Sequence, residues 1–320
     1  WYIWPSINID LGDRNFNEWL LQRGARIERL VYGLTFQDKN FRGRNERLKL
    51  RLQLGFTRKY ELFYDIPYLN KNQKTGAGFK VSYSDNNTVA WRVNDHKLDF
   101  YDGDDIQRRR FYSSIYVSRR SEYFGRHTIE GGYHHQWIGD TLVSLNPNYF
   151  GDSLQNARFM VLSYSYSWDR RNIAYYPTRG YYVAVGISKA GLGFLDEINI
   201  WETKIQAAKY FDLGKNFYSS HYGSGKLSGP EEQPFFLYRG LGYGDDLLRG
   251  FDLYVINGNY FAASKNELKY KFFSFRKTFN FIPLKQFQTL PLDFYFKVFS
   301  DFGYVDNRNT RMLNSRLSNK

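Results

Sequence analysis

The chain is 320 residues long, carries a formal net charge of +13 and contains no cysteine, which excludes a disulfide framework. No run of about 18 apolar residues occurs, which excludes a membrane-spanning helix. Aromatic residues make up 20% of the chain, with 28 Tyr, 28 Phe and 7 Trp, yet the mean hydropathy is −0.60; such a load at so polar an average points to apolar and polar residues that alternate.

In chain order, the alternation is the dominant signal. The chain opens on the apolar-rich stretch WYIWPSINIDL and shows no signal peptide, so it is expected to be a piece of a longer precursor. Leu30, Tyr32, Leu34 and Phe36 share one face of the next segment. The most regular segment is Arg47 to Phe56. Leu48, Leu50, Leu52, Leu54 and Phe56 fall on one face, and Arg47, Lys49, Arg51, Gln53 and Gly55 on the other. A strict period of two is a β-strand and not a helix. Tyr60, Leu62, Tyr64 and Ile66 then return on one face. Phe79 to Trp91, Phe111 to Val117 and Thr128 to Ile138 read as strands with less regular alternation. Arg158 to Trp168 sets Met160, Leu162, Tyr164, Tyr166 and Trp168 against three serines, and Gly180 to Ala190 sets Tyr181, Val183, Val185 and Ile187 against small residues. Ile198 to Phe211, Asn216 to Leu227, Asn259 to Phe272 and Leu292 to Val305 complete about thirteen strands, several of about 10 residues, the length that crosses a bilayer when tilted.

The connections are unequal, with long polar ones at Asn94–Gln107, Gly139–Asn156 and Leu227–Asn257. The polar face of the strands carries Arg, Lys, Gln, Ser and Gly, while the apolar face ends in Tyr, Phe and Trp. That is the pattern of a lipid-facing wall with aromatic girdles around a wet lumen. In lipid every backbone polar group must be paired, so an all-strand membrane protein must close on itself. The expected fold is therefore an all-β antiparallel transmembrane barrel. The long loops are expected outside and the turn at Tyr176–Gly180 on the periplasmic side. Within the longest loop, the stretch GYGDDLLRGFDLYV, Gly242 to Val255, places Leu247, Leu248 and Phe251 around Arg249. A solvated loop tip has no need of those apolar residues, so the loop is expected to fold back into the protein.

Several separate stretches carry a family resemblance: KNFRGRNERLKLRLQLGF followed by YELFYDIPYL, DRRNIAYYPTRGYYVAVGIS, LLRGFDLY, KNELKY and KVFSDFGYV, in that order. Together they resemble the barrel domain of the BamA/TamA/FhaC superfamily of outer-membrane assembly and two-partner-secretion proteins. The resemblance implies a sixteen-stranded barrel with an inward-folded sixth outer loop. Residues 1–320 would be the barrel domain, without the family's N-terminal POTRA domains and its last strands. It implies a lock in which Arg249, Gly250 and Phe251 of the loop meet Glu267, Asp301 and Gly303 of the wall. It also implies a periplasmic turn motif at Asp169, Pro177, Thr178, Arg179 and Gly180, and a lateral seam along the first strand at Ser6, Ile7, Asn8 and Ile9. The implied function is non-enzymatic. It is the assembly of client barrels at the seam, or alternatively export of one partner protein through the lumen. The implied setting is the outer membrane of a Gram-negative bacterium, with unfolded outer-membrane clients, lipid, and periplasmic or lipoprotein subunits as partners, and with no cofactor.

Other candidate sites read as structural. Asp102, Asp104 and Asp105 lack the ligand spacing of a calcium loop. His134 and His135 point to opposite faces of a strand and cannot share a metal. The cationic face of Arg47, Lys49 and Arg51 reads as lumen lining and not as a nucleic-acid surface. No nucleophile motif stands in a strand-to-helix context; HYGSG, His221 to Gly225, reads as a thin stretch of wall.

Overall fold

A computed structural model describes residues 3–195, 198–282 and 285–309. The strands are β1 (Ile3–Leu11), β2 (Leu30–Phe41), β3 (Glu46–Gly55), β4 (Arg58–Ile66), β5 (Thr75–Asn86), β6 (Thr88–Asn94), β7 (Lys97–Asp102), β8 (Arg108–Ser121), β9 (Gly125–Ile138), β10 (Asn156–Asp169), β11 (Gly180–Ala190), β12 (Ile200–Gly214), β13 (Phe217–Gly229), β14 (Tyr260–Thr278) and β15 (Thr289–Asp306). All but β6 and β7 form one 13-stranded sheet in chain order, each strand antiparallel to its neighbours. The side-chain pattern explains the register. Between β3 and β4, Leu50 faces Leu62 and Arg51 faces Glu61, so apolar pairs occupy one face and opposite charges the other.

The sheet is curled. Strands lie about 4.8 Å apart, so thirteen laid flat would separate β1 from β15 by roughly 58 Å. One loop nevertheless touches both ends. Arg14, just past β1, donates to the Gly242 carbonyl at 2.6 Å, and Asp301 of β15 accepts from the Arg249 N–H at 3.0 Å. Seven extended residues reach at most about 25 Å, so the wall bends around the loop. β1 and β15 are not paired with each other among the described residues, and the sheet is open there.

Polarity is inverted relative to a soluble protein. Large apolar side chains cover the convex face, with Ile7 78%, Ile115 71% and Val298 73% exposed. The concave face holds buried polar groups, among them Thr35, Glu61, Asp65, Ser84, Ser114, Ser220 and Lys269. The carboxylates among them are paired: Arg47 with Asp65 at 2.6 Å, Lys59 with Glu61 at 2.6 Å, and the Tyr116 hydroxyl donating to Asp65 at 2.5 Å. A contiguous apolar outside over a hydrogen-bonded inside is what a wall facing lipid requires.

Several sequence expectations need correction. Phe79 to Trp91 is not one strand. β5 stops at Asn86, whose side-chain amide donates to the Phe56 carbonyl at 3.0 Å and the Thr57 hydroxyl at 2.6 Å. Trp91 lies in the separate β6–β7 hairpin, whose turn residues Asp95 and His96 adopt φ of 44° and 62°. The supposed loop Asn94–Gln107 therefore contains β7. Phe56 leaves the outer leucine face. Gly55, at φ 91°, breaks the alternation, and the Phe56 ring turns inward under the Arg29 guanidinium, 4.4 Å away. Gly139–Asn156 carries a short helix, α1 (Asp140–Leu145), which buries Leu142 completely. β13 and β14 run further than the alternation suggests, leaving 230–259 as the loop between them.

Alternating strand direction puts the connections at 94–107, 139–156 and 227–257 on one rim and the 170–179 segment on the other. Cysteine labelling of membranes tests the two faces. A water-soluble reagent is expected to modify Arg51→Cys and to spare Leu50→Cys; equal labelling of both rules the assignment out. Leu52→Arg is expected to cost about 2–4 kcal/mol, read from urea unfolding in lipid vesicles.

Candidate functional site

The loop between β13 and β14 occupies the concave face, and its tip is held by one arginine. Apolar neighbours set the position of Arg249. Leu248 and Leu241 pack over Gly303 of β15, where a Cβ would lie 2.3 Å and 2.7 Å from their terminal carbons. Gly303 is thus the seat of the loop. Gly250 adopts φ 85°, a conformation that costs glycine little, and turns the chain immediately after Arg249.

Asp301 accepts three N–H groups from Arg249: the backbone N–H at 3.0 Å, Nε at 2.8 Å, and Nη2 in a shorter contact. Arg249 Nη1 reaches Glu267 of β14. The guanidinium lies 4.2 Å over the ring of Phe299. The Asp301 side chain is 2% exposed and that of Arg249 26%, so the pair is mostly withdrawn from water. Hydrogen bonding to Asp301 is the largest cause holding the guanidinium's pKa above its ordinary value, with Glu267 adding to it. The arrangement is a planar fork on a carboxylate, a geometry lysine cannot reproduce.

The structure thus brings Arg249, Glu267, Asp301 and Gly303 together. Phe251 is half-exposed, with Tyr254 as its ring neighbour at 6.3 Å, and lines a cavity together with Leu248, Asp301 and Gly303. Four participants were missed in the sequence. Lys269 and Lys297 lie 3.0 Å and 3.1 Å from Glu267, Ser220 donates to it at 3.1 Å, and Phe299 underlies Arg249. Strand parity alone puts Lys297 and Phe299 on the face of Asp301, without assigning them a role, and the same count would have added Lys269 beside Glu267. Nothing in the sequence signals Arg14, which ties the loop to the β1 end through the Gly242 and Tyr254 carbonyls at 2.6 Å and 3.3 Å.

The turn motif at the opposite rim folds on itself. Asn172 accepts from the Thr178 and Arg179 N–H groups at 3.1 Å and 3.2 Å, Asp169 pairs with Arg171 at 2.6 Å, and Arg179 with Asp212 at 2.8 Å. Pro177 is buried, and Gly180, at φ 106°, leaves no room for a Cβ, which would lie 2.1 Å from the Arg170 carbonyl oxygen. The ten-residue segment 170–179 also reaches toward the loop cluster: Tyr176 meets the Tyr295 ring at 5.1 Å and the Lys269 ammonium at 4.5 Å. At the seam, Ser6, Ile7, Asn8 and Ile9 pair with Thr35, Leu34, Gly33 and Tyr32 of β2, and their other edge has no strand partner among the described residues. His134 of the concave face stacks on Phe159 at 4.8 Å.

Arg249→Ala leaves Asp301 buried without its cation. Loss of one partner of a buried pair costs about 3–5 kcal/mol, and partial exposure of Arg249 places the expected cost near about 3 kcal/mol. Protease sensitivity of the 243–252 segment reads it, with Arg249→Lys expected to fall close to alanine. Gly303→Val is expected to release the same segment by about 1–3 kcal/mol through overpacking against Leu248 and Leu241; a protected loop in that variant contradicts the seat.

Comparison with known proteins matches this architecture. Residues 40–320 fit the model of the Omp85 superfamily domain. The structure of BamA from Haemophilus ducreyi lacking POTRA domains 1–3 superposes with a TM-score of 0.64 at 17% identity, over 95% of this chain and 58% of that one. CdiB from Escherichia coli gives 0.52 at 12% identity, over 94% and 56%. CdiB from Acinetobacter baumannii gives 0.51 at 12% identity, over 90% and 47%. This chain therefore spans less than three-fifths of the length of each. No curated protein sequence matches it. The inverted sheet, the loop seated on its concave face and the family match over 40–320 lead to one conclusion: the chain belongs to the Omp85 superfamily.

Proposed function

We propose that the protein is an outer-membrane assembly factor that offers the free edge of β1 to the strands of client barrels. The observation that carries this reading is β1 itself. Among the described residues its four seam residues pair with β2 alone, and Ile7 and Ile9 are 78% and 74% exposed on the lipid-facing side. An unpaired strand edge is a template for strand addition, and here it lies beside an apolar surface that a client strand can share. The work is non-covalent, with no enzymatic step. Clients would be unfolded outer-membrane proteins, with lipid and periplasmic or lipoprotein subunits as further partners. The setting is the outer membrane of a Gram-negative bacterium, with the wall reaching the sixteen strands of the family and its last strand meeting β1 at a weak seam that parts for the client.

Export of one partner through the lumen is the alternative. It is disfavoured by how the loop fills the concave face. Besides Arg249, the loop is tied by Arg14 to Gly242, by the Val255 N–H to His96 at 2.7 Å, and by Asp246 to Lys204 at 2.5 Å. All of these ties would have to break to open a passage.

Photo-crosslinking separates the two. A crosslinker at Ser6 on the seam is expected to capture several nascent outer-membrane proteins. A crosslinker at Gly186, which faces open space on the concave side, is expected to capture none. Capture of a single exported protein from Gly186, with nothing from Ser6, selects the export reading. For sidedness, a tag at the exposed Ser153 is expected to be reachable on intact cells; detection only after permeabilisation reverses the topology.

A further inference from the structure

Among the described residues, two arginines of the concave face and one of the inward loop have no carboxylate partner. β8 opens with Arg108-Arg109-Arg110 at the long-loop rim. Arg109 faces outward over Trp137, at 5.0 Å, while Arg108 and Arg110 face inward into a cavity of about 750 Å³. Arg239 of the inward loop lines the same cavity from above. The other cations there have acids of their own: Lys204 pairs with Asp246 at 2.5 Å, Lys226 with Glu202 at 3.5 Å and Arg14 with Glu18 at 2.7 Å. Asp245, the remaining carboxylate of the lining, acts on Lys265 and Tyr222.

Arg108 has only neutral partners among the described residues, donating to the Tyr149 hydroxyl at 3.2 Å and to the Asn86 side-chain oxygen Oδ1 at 3.3 Å. Nε of Arg108 and Nε of Arg110 are buried without a hydrogen-bond acceptor among the described residues. The cationic groups whose charges act on Arg110 are Arg108 and Arg239. Like charges gathered in a confined space repel and concentrate a counter-ion of opposite sign. Guanidinium forks match phosphate oxygens. The volume lies within the roughly 300–1,000 Å³ of small-molecule sites, and Phe100, Phe235 and Tyr149 supply apolar walls.

We propose that this chamber binds a small multivalent oxyanion of the phosphate type between Arg108 and Arg110 of the wall and Arg239 of the loop. Bound there, the anion joins wall to loop at a second point, ten residues before Arg249 on the loop, and its occupancy favours the seated loop. The proposal holds for either client reading, because it depends only on the cavity.

Calorimetric titration of the purified protein in zwitterionic micelles, with pyrophosphate at constant ionic strength, tests it. One saturable site per chain is expected. Arg110→Gln and Arg239→Gln are each expected to weaken it at least tenfold, and Arg179→Gln, at the opposite rim, to leave it unchanged. Arg239 lies on the exposed loop side, so that variant decides the matter if Arg110→Gln does not fold. Binding that appears only when the micelles contain an anionic phospholipid, and that Arg239→Gln removes, assigns the oxyanion to a lipid headgroup at the same site. No saturable uptake under either condition, or equal affinity in all three variants, overturns the proposal.

Discussion

Asp301 is the group on which the inner architecture depends. Its carboxylate sits on β15, 2% exposed, and the Arg249 backbone and guanidinium supply its three N–H donors. A carboxylate so placed needs a cation with several donors fixed in one plane, and a loop arginine can bring them only if the loop turns inward. Gly250 allows the turn, Gly303 leaves space for Leu248, and Glu267 takes the remaining edge of the guanidinium. Glu267 in turn gathers Lys269, Lys297 and Ser220, so that three strands share one charge network.

The loop then acts as the interior that the sheet otherwise lacks. An all-strand wall with its apolar side outward has only polar groups to offer within, and these must be paired with one another or with whatever fills the space. Along β3, β4 and β8 the wall pairs its own groups, as Arg47, Asp65 and Tyr116 do. Near the long-loop rim the filling is apolar. Phe235 and Phe236 of the loop join Tyr149, Phe150, Phe159, Leu142 and Val89 in a small buried core built from four separate chain segments. The loop is therefore held by a core at its base and by ion pairs at its tip.

Both faces of the wall and the long-loop rim were legible in the sequence because period-two alternation is a local property. Each strand records on its own which side faces lipid, and β3 records it without error from Leu48 to Leu54. The alternation failed where the backbone stopped being a strand. Phe56 turned inward because Gly55 takes a positive φ, and Trp91 left the wall because the Asn86 side chain binds Phe56 and Thr57 of the neighbouring turn. Neither event has a signature in hydrophobic period.

The cluster of Arg249, Glu267, Asp301 and Gly303 could be named from motifs in three segments, and the inward parity of Asp301 follows from counting along its strand. Tertiary structure alone decided what surrounds them. Arg14 reaches Gly242 across 228 residues of chain, and Arg108, Arg110 and Arg239 meet because the wall curls and the loop descends into it. By itself the sequence determined which residues face lipid, since that depends on neighbours two positions apart. Which charges meet across the interior depends on curvature and loop path, and those are properties of the whole sheet.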